Sequence, residues 1–423
     1  MKIRPLSAAS VASEVALLRP PESVGREVAD VVARLLADVR ARGDAAVVDA
    51  SAKLDWPGAG VADLAVPPRE LDAAVREVDP GIIMALQTAR ENCTFFHRHE
   101  LTPDWEGTGA QGQRLGIRHL PVSRAGLYVP GGLGSYASTV IMNAVPAVVA
   151  GVEELIICTP PGRDGTVNRS VLAAARLMGI WNVFRVGGAQ AIAAMAYGTE
   201  SIPRVDVICG PGNAYVVEAK RQVYGSVGID SLAGPSEVMI VADVSAVAEW
   251  IAADMQAQEE HGSGATAVLV AESQNMCNAV QDVLRRYRPR GSDSLLTGFY
   301  PAPGEDFLEL AAAMANAYAP EHLEIHLIDS RSFLPHARSA GAVFIGHRTP
   351  TAFGDYIAGT NHVLPTGGSA RFSSPLSVDT FRRKSSYLEM TDEAVHLLTG
   401  HLARLADSEG FAYHRMSAEL RAT

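Results

Sequence analysis

Short apolar segments alternate with segments of helical periodicity from residue 126 onward, and this alternation constrains the fold more than any other feature of the chain. The first run contains AGLYVP, ELIICTPP, NVFRVGG and VDVICGPG, and a predicted helix follows each of them. After AGPSE at residues 233–237, the alternation returns with EVMIVAD, TAVLVAES and HLEIHLID. Strands and helices at this spacing are typical of βαβ units and mostly parallel sheets. The sequence therefore predicts an α/β fold built from two similar halves.

The composition is that of a globular protein with more than one structural unit. With 423 residues, 48% hydrophobic and 20% charged, the chain can bury sizeable cores, which argues against disorder. The formal net charge of −11 argues against binding to nucleic acid or to an anionic membrane. The longest apolar stretch, residues 144–152, is too short to span a bilayer, and no signal peptide is evident. Four cysteines without a C-x-x-C pair indicate reduced thiols, so we expect a cytoplasmic protein.

Other segments are predicted from periodicity and from turn-forming residues. Apolar residues at helical spacing predict a helix over residues 23–42, and a second helical region over residues 68–100 is broken near Pro80. Gly- and Pro-rich composition predicts loops at residues 101–113 and 288–304. The charged tail that follows is predicted to be mostly helical.

Glycine-rich loops follow the predicted strands of the first run, as in VPGGLG, GGAQ and GPGN. Because ligands of open α/β sheets bind at the carboxyl ends of the strands, these loops should line one crevice. Residues 132–137 and 262–267 match the pattern G-x-G-x-x-A, which is also frequent in ordinary tight turns. A nucleotide site is therefore inferred from the whole crevice and not from one loop.

Some side chains have the chemistry of zinc ligands. Gln258 and His261 lie three residues apart at the end of a predicted helix, so they share one face. Asp355 and His414 offer further oxygen and nitrogen donors of the type that zinc accepts. Taken singly, each is more typical of a solvated helix end, a turn or a surface position, and spacing in the sequence does not bring the four together.

Glu321 and His322 follow Pro320 at a predicted helix-to-strand junction. An adjacent carboxylate and imidazole can divide the duties of a general acid and a general base, although a polar turn is the simpler interpretation. An alternative route to aldehyde oxidation uses a cysteine thiohemiacetal, and Cys158 and Cys209 both end predicted strands. Neither cysteine has an adjacent basic residue in the sequence, so inert buried thiols are favoured.

Ten segments in this order resemble motifs of the histidinol dehydrogenase family. They are GLYVPGG, STVIMNAVPA, VGGAQAIAAMAYGT, GPGNAYVVEAKRQVYG, VGIDSLAGPSEV, QAQEEHG, APEHLE, SAGAVFIG, GDYIAGTNHVLPT and the closing E-x-x-x-x-H. The resemblance implies a homodimeric enzyme that depends on Zn²⁺ and NAD⁺ and oxidises L-histidinol through L-histidinal to L-histidine, the last step of histidine biosynthesis.

The resemblance also implies roles for individual residues. The implied zinc ligands are Gln258, His261, Asp355 and, donated by the neighbouring subunit's tail, His414. The implied catalytic pair is Glu321 and His322. The implied substrate contacts are Ser236, Gln258, His261, His322, Asp355, Glu409 and His414. The implied nucleotide contacts are Tyr128, Gln190 and Asn213, while His362 lies in the substrate-side loop without an assigned role.

We expect two Rossmann-like domains with small helical appendages, in an intertwined homodimer. Residues 1–21 would form an amino-terminal appendage, and residues 22–126 with 237–375 the first α/β domain, which carries the metal and catalytic residues. Residues 127–236 would form the second α/β domain on the nucleotide side. Residues 376–423 would form a helical tail that reaches the partner subunit's site.

The chain departs from the family pattern in ways that leave alternatives open. Glu259 adds an acid beside the implied metal ligands, and residues 288–304 are shorter than the corresponding family segment, which puts the edge of one sheet in doubt. One alternative is a paralogous Zn²⁺- and NAD⁺-dependent dehydrogenase of the same fold that acts on another small alcohol, such as a sulfonated diol. Another is a scaffold without catalytic activity, although every implied ligand and both catalytic residues are present.

Overall fold

The computed structural model describes residues 1–19, 25–131, 136–262, 264–287 and 295–422. Within these ranges the strands form three sheets, which we call A, B and C. Sheet A contains β1 (Lys2–Leu6), β9 (Glu237–Ala242), β10 (Thr266–Ala271), β11 (Leu295–Pro301), β12 (His322–His326) and β13 (Ala342–Ile345). Sheet B contains β4 (Arg124–Tyr128), β5 (Glu154–Thr159), β6 (Asn182–Arg185), β7 (Val207–Cys209) and β8 (Gly228–Ile229). Sheet C contains β2 (Trp105–Thr108), β3 (Arg114–Pro121) and β14 (Arg382–Glu389).

The α-helices in the described ranges cover the sheets and form the tail. They are α1 (Val11–Leu18), α2 (Arg26–Arg42), α3 (Asp44–Leu54), α4 (Pro68–Glu77), α5 (Pro80–Arg98), α6 (Ala137–Ala150), α7 (Arg169–Leu177), α8 (Gly188–Tyr197), α9 (Ala214–Val223), α10 (Ala248–Glu259), α11 (Gln274–Tyr287), α12 (Phe307–Tyr318), α13 (Ser330–Phe333), α14 (Thr351–Tyr356), α15 (Asp392–Ser408) and α16 (Ala412–Glu419). None of the helices in the described part of the chain is long and apolar enough to cross a membrane.

Sheets A and B share one topology. Their strand orders are β11-β10-β9-β12-β13, with β1 added at the edge beside β11, and β6-β5-β4-β7-β8. In each, the first strand lies in the middle, the next two lie on one side and the last two on the other, and all pairings are parallel. The prediction of two similar α/β halves with mostly parallel sheets is confirmed.

The continuous apolar sequences of the central strands reflect burial on both faces. Every residue of β9 and β10 is buried. Along β9, Met239 and Val241 pack into one hydrophobic cluster, while Val238 and Ile240 pack into another on the opposite face. Because side chains alternate along a strand, helices on both faces require apolar residues at successive positions.

The prediction of a loop over residues 288–304 was wrong for the second half of that segment. Residues 295–301 form β11, a strand that lies between β10 and β1. Leu296 and Phe299 are buried, so the burial of this segment overrides the Pro- and Gly-rich composition around it. Residues 288–294 lie outside the described residues. The amino-terminal residues are also not a separate appendage, since β1 pairs with β11 from Lys2 to Leu6.

The helices between residues 26 and 98 pack on sheet B. Leu36 and Val47 join the cluster on one face of this sheet, and Leu71 and Leu86 join the cluster on the other. The predicted division assigned residues 22–126 to the α/β half that carries the catalytic residues. The helices of this range instead pack on sheet B, in the other half. Helical periodicity identifies which face of a helix is buried but not which sheet it is buried against.

Sheet C lies outside the two parallel sheets. The predicted loop at residues 101–113 contains β2, and the tail predicted to be mostly helical contains β14, which pairs antiparallel with β3 over eight residues of each strand. After β14, the tail continues as α15 and α16, as predicted. These short antiparallel strands are half-exposed, so they lack the apolar runs that mark the strands of sheets A and B.

Candidate active site

The acid–imidazole pair lies at the amino end of β12. Helix α12 ends at Ala319, which adopts a left-handed conformation (φ 45°), and Pro320 then directs the chain into the strand. Glu321 and His322 are both buried, with 6% and 2% of their surface exposed. The adjacent strand β9 holds both side chains through the backbone of Glu237. Its N–H donates to Glu321 Oε2 at 2.9 Å, and its carbonyl accepts from His322 Nδ1 at 3.2 Å.

His322 faces Asp355 through its other ring nitrogen. Nε2 lies 3.4 Å from Oδ1 of Asp355, which stands in the last turn of α14. Burial alone would lower the pKa of His322, but the charges of Glu321 and Asp355 and the bond to Glu237 outweigh it and raise this pKa to about 9. Burial likewise opposes ionisation of Asp355, yet His322 and the charges of His362 and His261 lower its pKa. In this structure the imidazole and the Asp355 carboxylate form an ion pair.

Glu321 is a more basic carboxylate than Asp355. Burial raises its pKa, and the charge of His322, the Glu237 N–H and the hydroxyl of Ser236 oppose that rise without cancelling it. A carboxylate with a raised pKa is a stronger base than an exposed one, which suits proton transfer near neutrality. Both residues of the predicted catalytic pair are therefore buried groups with raised pKa values.

The predicted metal donors partly converge. Gln258 stands in the last turn of α10 and is 4% exposed, and its Nε2 has no hydrogen-bond partner among the described residues. His261 lies just beyond that helix, close enough for its charge to lower the pKa of Asp355. Because amide nitrogen and oxygen are assigned by their partners, the unpartnered amide of Gln258 can equally present oxygen. Amide, imidazole and carboxylate donors together fit a divalent cation such as zinc.

The predicted donors in the tail do not join this group within one chain. His414 lies in α16 and is exposed, and Glu409, at the end of α15, is exposed as well. Over the described residues of the chain, no hydrogen bond or ion pair connects either side chain with Gln258, His261 or Asp355. The ring of His414 instead packs against that of Phe411, with centroids 5.1 Å apart.

His362 connects the site with sheet B. Its Nδ1 donates to the backbone carbonyl of Asp355 at 2.7 Å, and its Nε2 lies 3.3 Å from Oγ1 of Thr139. Thr139 is in the first turn of α6, the helix that follows β4. The amino ends of the sheet A strands therefore face the carboxyl end of sheet B. Burial lowers the pKa of His362, which favours its neutral form.

The predicted nucleotide residues lie at that carboxyl end. Tyr128 ends β4, and its hydroxyl accepts the Gly188 N–H at 3.1 Å. Gln190 is fully buried, and its Oε1 has no partner among the described residues. Asn213 is exposed and caps α9, where its Oδ1 accepts from the N–H groups of Tyr215 and Val216. The three residues share one end of the sheet, as predicted, although only Asn213 is exposed. The loop at residues 132–135 lies outside the described residues.

Sequence reasoning missed several residues of the site. Asp55 accepts from Gly187 N–H at 3.2 Å and from Gln190 Nε2 at 3.1 Å. Glu237 is buried, and this burial raises the pKa of its carboxyl to about 7. In the sequence, a single acidic residue near a glycine or at the start of a strand does not indicate a place in a functional site.

Sequence reasoning also missed a second cluster of side chains that could bind a metal ion. Asp254, Glu324 and His326 bring oxygen and nitrogen atoms within 4.8 Å of one another. The spacing could have shown it, because Asp254 lies one helical turn before Gln258, and Glu324 and His326 follow His322 at strand period.

The carboxyl end of a parallel sheet, with a buried acid–imidazole pair next to it, places the protein among the α/β oxidoreductases. The model of the histidinol dehydrogenase family matches residues 18–422, and the chain belongs to this family. The histidinol dehydrogenase of Synechococcus sp. is 46% identical over 395 residues, which cover 92% of this chain and 91% of that protein. The histidinol dehydrogenase of Rhizobium meliloti is 44% identical over 417 residues, 96% of this chain and 94% of that protein. The crystal structure of histidinol dehydrogenase from Elizabethkingia anophelis superposes with a TM-score of 0.93 at 31% identity, and the match covers 100% of this chain and 98% of that one.

Proposed function

We propose that this chain oxidises L-histidinol through L-histidinal to L-histidine, with NAD⁺ as hydride acceptor and Zn²⁺ at the active site. The observation that carries the proposal is the buried Glu321–His322 pair, held by Glu237 and facing Asp355 beside Gln258 and His261. An acid and an imidazole with separate partners can serve two successive oxidations, whereas one alcohol oxidation needs a single base.

In the first oxidation, His322 in its neutral form takes the proton of the substrate hydroxyl through Nε2 as hydride leaves the carbinol carbon for NAD⁺. Nε2 is the ring nitrogen available for this, because Nδ1 is bonded to the carbonyl of Glu237. The bond at Nδ1 fixes the plane of the ring.

In the second oxidation, the aldehyde is hydrated and a further hydride leaves. His322 first releases the proton of the first oxidation to solvent. Glu321, with its raised pKa, takes a proton from the attacking water, and His322 then accepts the proton of the resulting hydrate as the second hydride leaves for a second NAD⁺. Burial of both groups excludes bulk water from the intermediate.

Gln258, His261 and Asp355 would hold the metal ion. When bound, Zn²⁺ supplies a Lewis acid and a template for the amine and imidazole of the substrate, and it opposes the negative charge beside His322. Ser236, whose hydroxyl bonds to Glu321, would contact the substrate at the same point.

NAD⁺ would bind at the carboxyl end of sheet B, where Tyr128, Gln190 and Asn213 lie and where Gln190 keeps an unpartnered oxygen. The link from Asp355 through His362 to Thr139 sets the distance between this end of sheet B and the metal donors. Positioning of this kind is a large part of catalysis of hydride transfer.

His414 and Glu409 would complete the site from the tail of a partner subunit in a homodimer. Their exposure in the single chain supports this, since imidazole and carboxylate on a free helix end are available to another protomer.

The test is NADH formation from L-histidinol, scored as NADH per substrate and repeated after chelation. We expect two NADH per histidinol, loss of activity on chelation and recovery with Zn²⁺. One NADH per substrate would contradict the role of Glu321, and turnover of a sulfonated diol in preference to histidinol would support the paralogue. The relatives described above do not favour the paralogue.

A further inference from the structure

A buried carboxylate pair lies beneath the proposed active site. Glu324 on β12 has no exposed surface, and Asp254 on α10 is half-buried and hydrogen-bonds to it. Glu324 also accepts the Thr351 N–H at 2.7 Å through Oε1, and its Oε2 lies 3.1 Å from Nε2 of His326. The proposed mechanism uses none of these four residues.

The two carboxyl groups can share a hydrogen bond only if one of them is protonated. Two buried carboxylates in contact repel each other, so one takes up a proton. Burial, together with the charge of Glu324, raises the pKa of Asp254 to about 8. The N–H groups of Thr351 and His326 both point at Glu324 and stabilise it as the charged partner. Asp254 is therefore the proton donor of the pair.

The pair and the Thr351 N–H that binds it lie on the same helices and strand as residues of the proposed site, a short distance along each. Asp254 lies four residues before Gln258 on α10, one helical turn away on the same face. Thr351 lies four residues before Asp355 on α14. Glu324 lies two residues after His322 on β12, so both side chains leave the same face of the strand. The pair thus connects three elements of the proposed site. Helix α10 carries Gln258, α14 carries Asp355, and β12 carries His322.

We propose that Asp254 and Glu324 share a proton and act as positioning residues that set the spacing between Gln258, Asp355 and His322. This inference builds on the proposed function, because it assigns no chemistry of its own to the pair. A metal ion bound by Asp254, Glu324 and His326 is the alternative, and it predicts a different response to substitution.

The decisive variant is Asp254→Asn, which keeps the shape and the hydrogen-bond donor but removes the ionisable group. Its partner is Asp254→Ala, which removes the donor, and the matched control is Glu249→Gln, an exposed acid on the same helix. Glu237 and Glu321 also have raised pKa values, so the readout is the infrared difference spectrum between the wild type and each variant, recorded on metal-free, substrate-free protein near neutral pH. We expect the wild type minus Asp254→Asn spectrum to contain the band of one protonated carboxyl group and the wild type minus Glu249→Gln spectrum to contain none. Asp254→Asn should keep the folded circular-dichroism spectrum.

Zinc affinity, measured by competition with a chromophoric chelator, gives the second readout. We expect affinity within about 2-fold of the wild type for Asp254→Asn, and affinity about 10- to 100-fold weaker for Asp254→Ala, the usual effect of losing a group that orients a ligand. If Asp254→Ala does not fold, the infrared and affinity results for Asp254→Asn still decide the matter.

Three results would overturn the proposal. They are the absence of a protonated-carboxyl band from the wild type minus Asp254→Asn difference spectrum, a zinc affinity of Asp254→Asn as weak as that of Asp254→Ala, and a second equivalent of metal in the wild type that Asp254→Asn loses. Failure of the proposed function is separable, because the infrared result needs neither histidinol nor NAD⁺.

Discussion

His322 Nε2 lies 3.4 Å from Asp355 Oδ1, so the proposed base and a proposed metal donor form an ion pair. The pair is buried between β12 and α14 and has the backbone of Glu237 on its other side. This contact links two proposed functions, because any group that binds Asp355 also changes the basicity of His322.

The first prediction concerns the titration of that imidazole. In metal-free protein, His322 should titrate near pH 9, and Asp355→Asn should lower its pKa because the ring loses a neighbouring negative charge. Since the folded-state pKa is raised above 6.5, the stability that His322 contributes is full below pH 6.5 and is lost as the pH rises through about 9. NMR of the imidazole protons and urea unfolding across this range measure both effects. Glu249→Gln is the control, and an unchanged titration in Asp355→Asn would contradict the ion pair.

The second prediction concerns the metal donors. His261→Ala should reduce the zinc retained after dialysis and lower turnover by more than about 100-fold, because a direct ligand matters more than a group that orients one. His336→Ala, at an exposed imidazole outside the site, should retain metal and activity. Elemental analysis of the purified variants and NADH formation give the two readouts. Equal zinc content in both variants would remove His261 from the ligand set.

The third prediction tests whether the tail acts across two subunits. His261→Ala and His414→Ala should each be inactive alone, but a mixed dimer should contain one site with both intact residues if the tail is donated by the partner. We therefore expect activity to reappear when the two inactive variants are unfolded and refolded together. If His414 acts within its own chain, every site in the mixture carries a defect and activity stays absent.

The fourth prediction concerns the close approach of Gly341 to the catalytic segment. Gly341 donates its N–H to the carbonyl of Pro320 at 2.9 Å, and a Cβ at this position would lie 2.7 Å from the backbone oxygen of Glu321. Gly341→Ala should displace that backbone, reduce turnover and destabilise the protein by about 1–3 kcal/mol, as overpacking does. Gly25→Ala, where a Cβ meets no atom of the described residues within 4 Å, is the control. Thermal unfolding and steady-state kinetics measure the two effects, and full activity in Gly341→Ala would show that the segment can shift freely.

The fifth prediction concerns the thiols. Burial raises the pKa values of Cys158 and Cys209, so neither is a thiolate near neutrality. The double substitution by serine should therefore leave conversion to the acid intact, with stability reduced because both side chains are fully buried. Loss of acid formation in a folded double variant, with alcohol oxidation retained, would favour a thiohemiacetal route.

The alternation of buried strands and helices was determined by the sequence alone. Runs such as EVMIVA can be buried on both faces only within a covered parallel sheet, so two α/β halves follow from local pattern. The helix-to-strand junction that holds Glu321 and His322 could also be identified, because it is a local property, whereas their catalytic role was implied only by the family resemblance.

Tertiary structure decided what the pattern does not encode. Burial between two neighbours makes β11 a strand despite its Pro- and Gly-rich surroundings, and sheet C pairs segments more than 250 residues apart. The backbone of Glu237 meets Glu321 across 84 residues of chain. Asp254 likewise meets Glu324 only because α10 packs against β9, β10 and α14. Contacts of this kind depend on strand register and helix packing, which arise from the sum of many side-chain contacts and leave no periodic signal in the residues themselves.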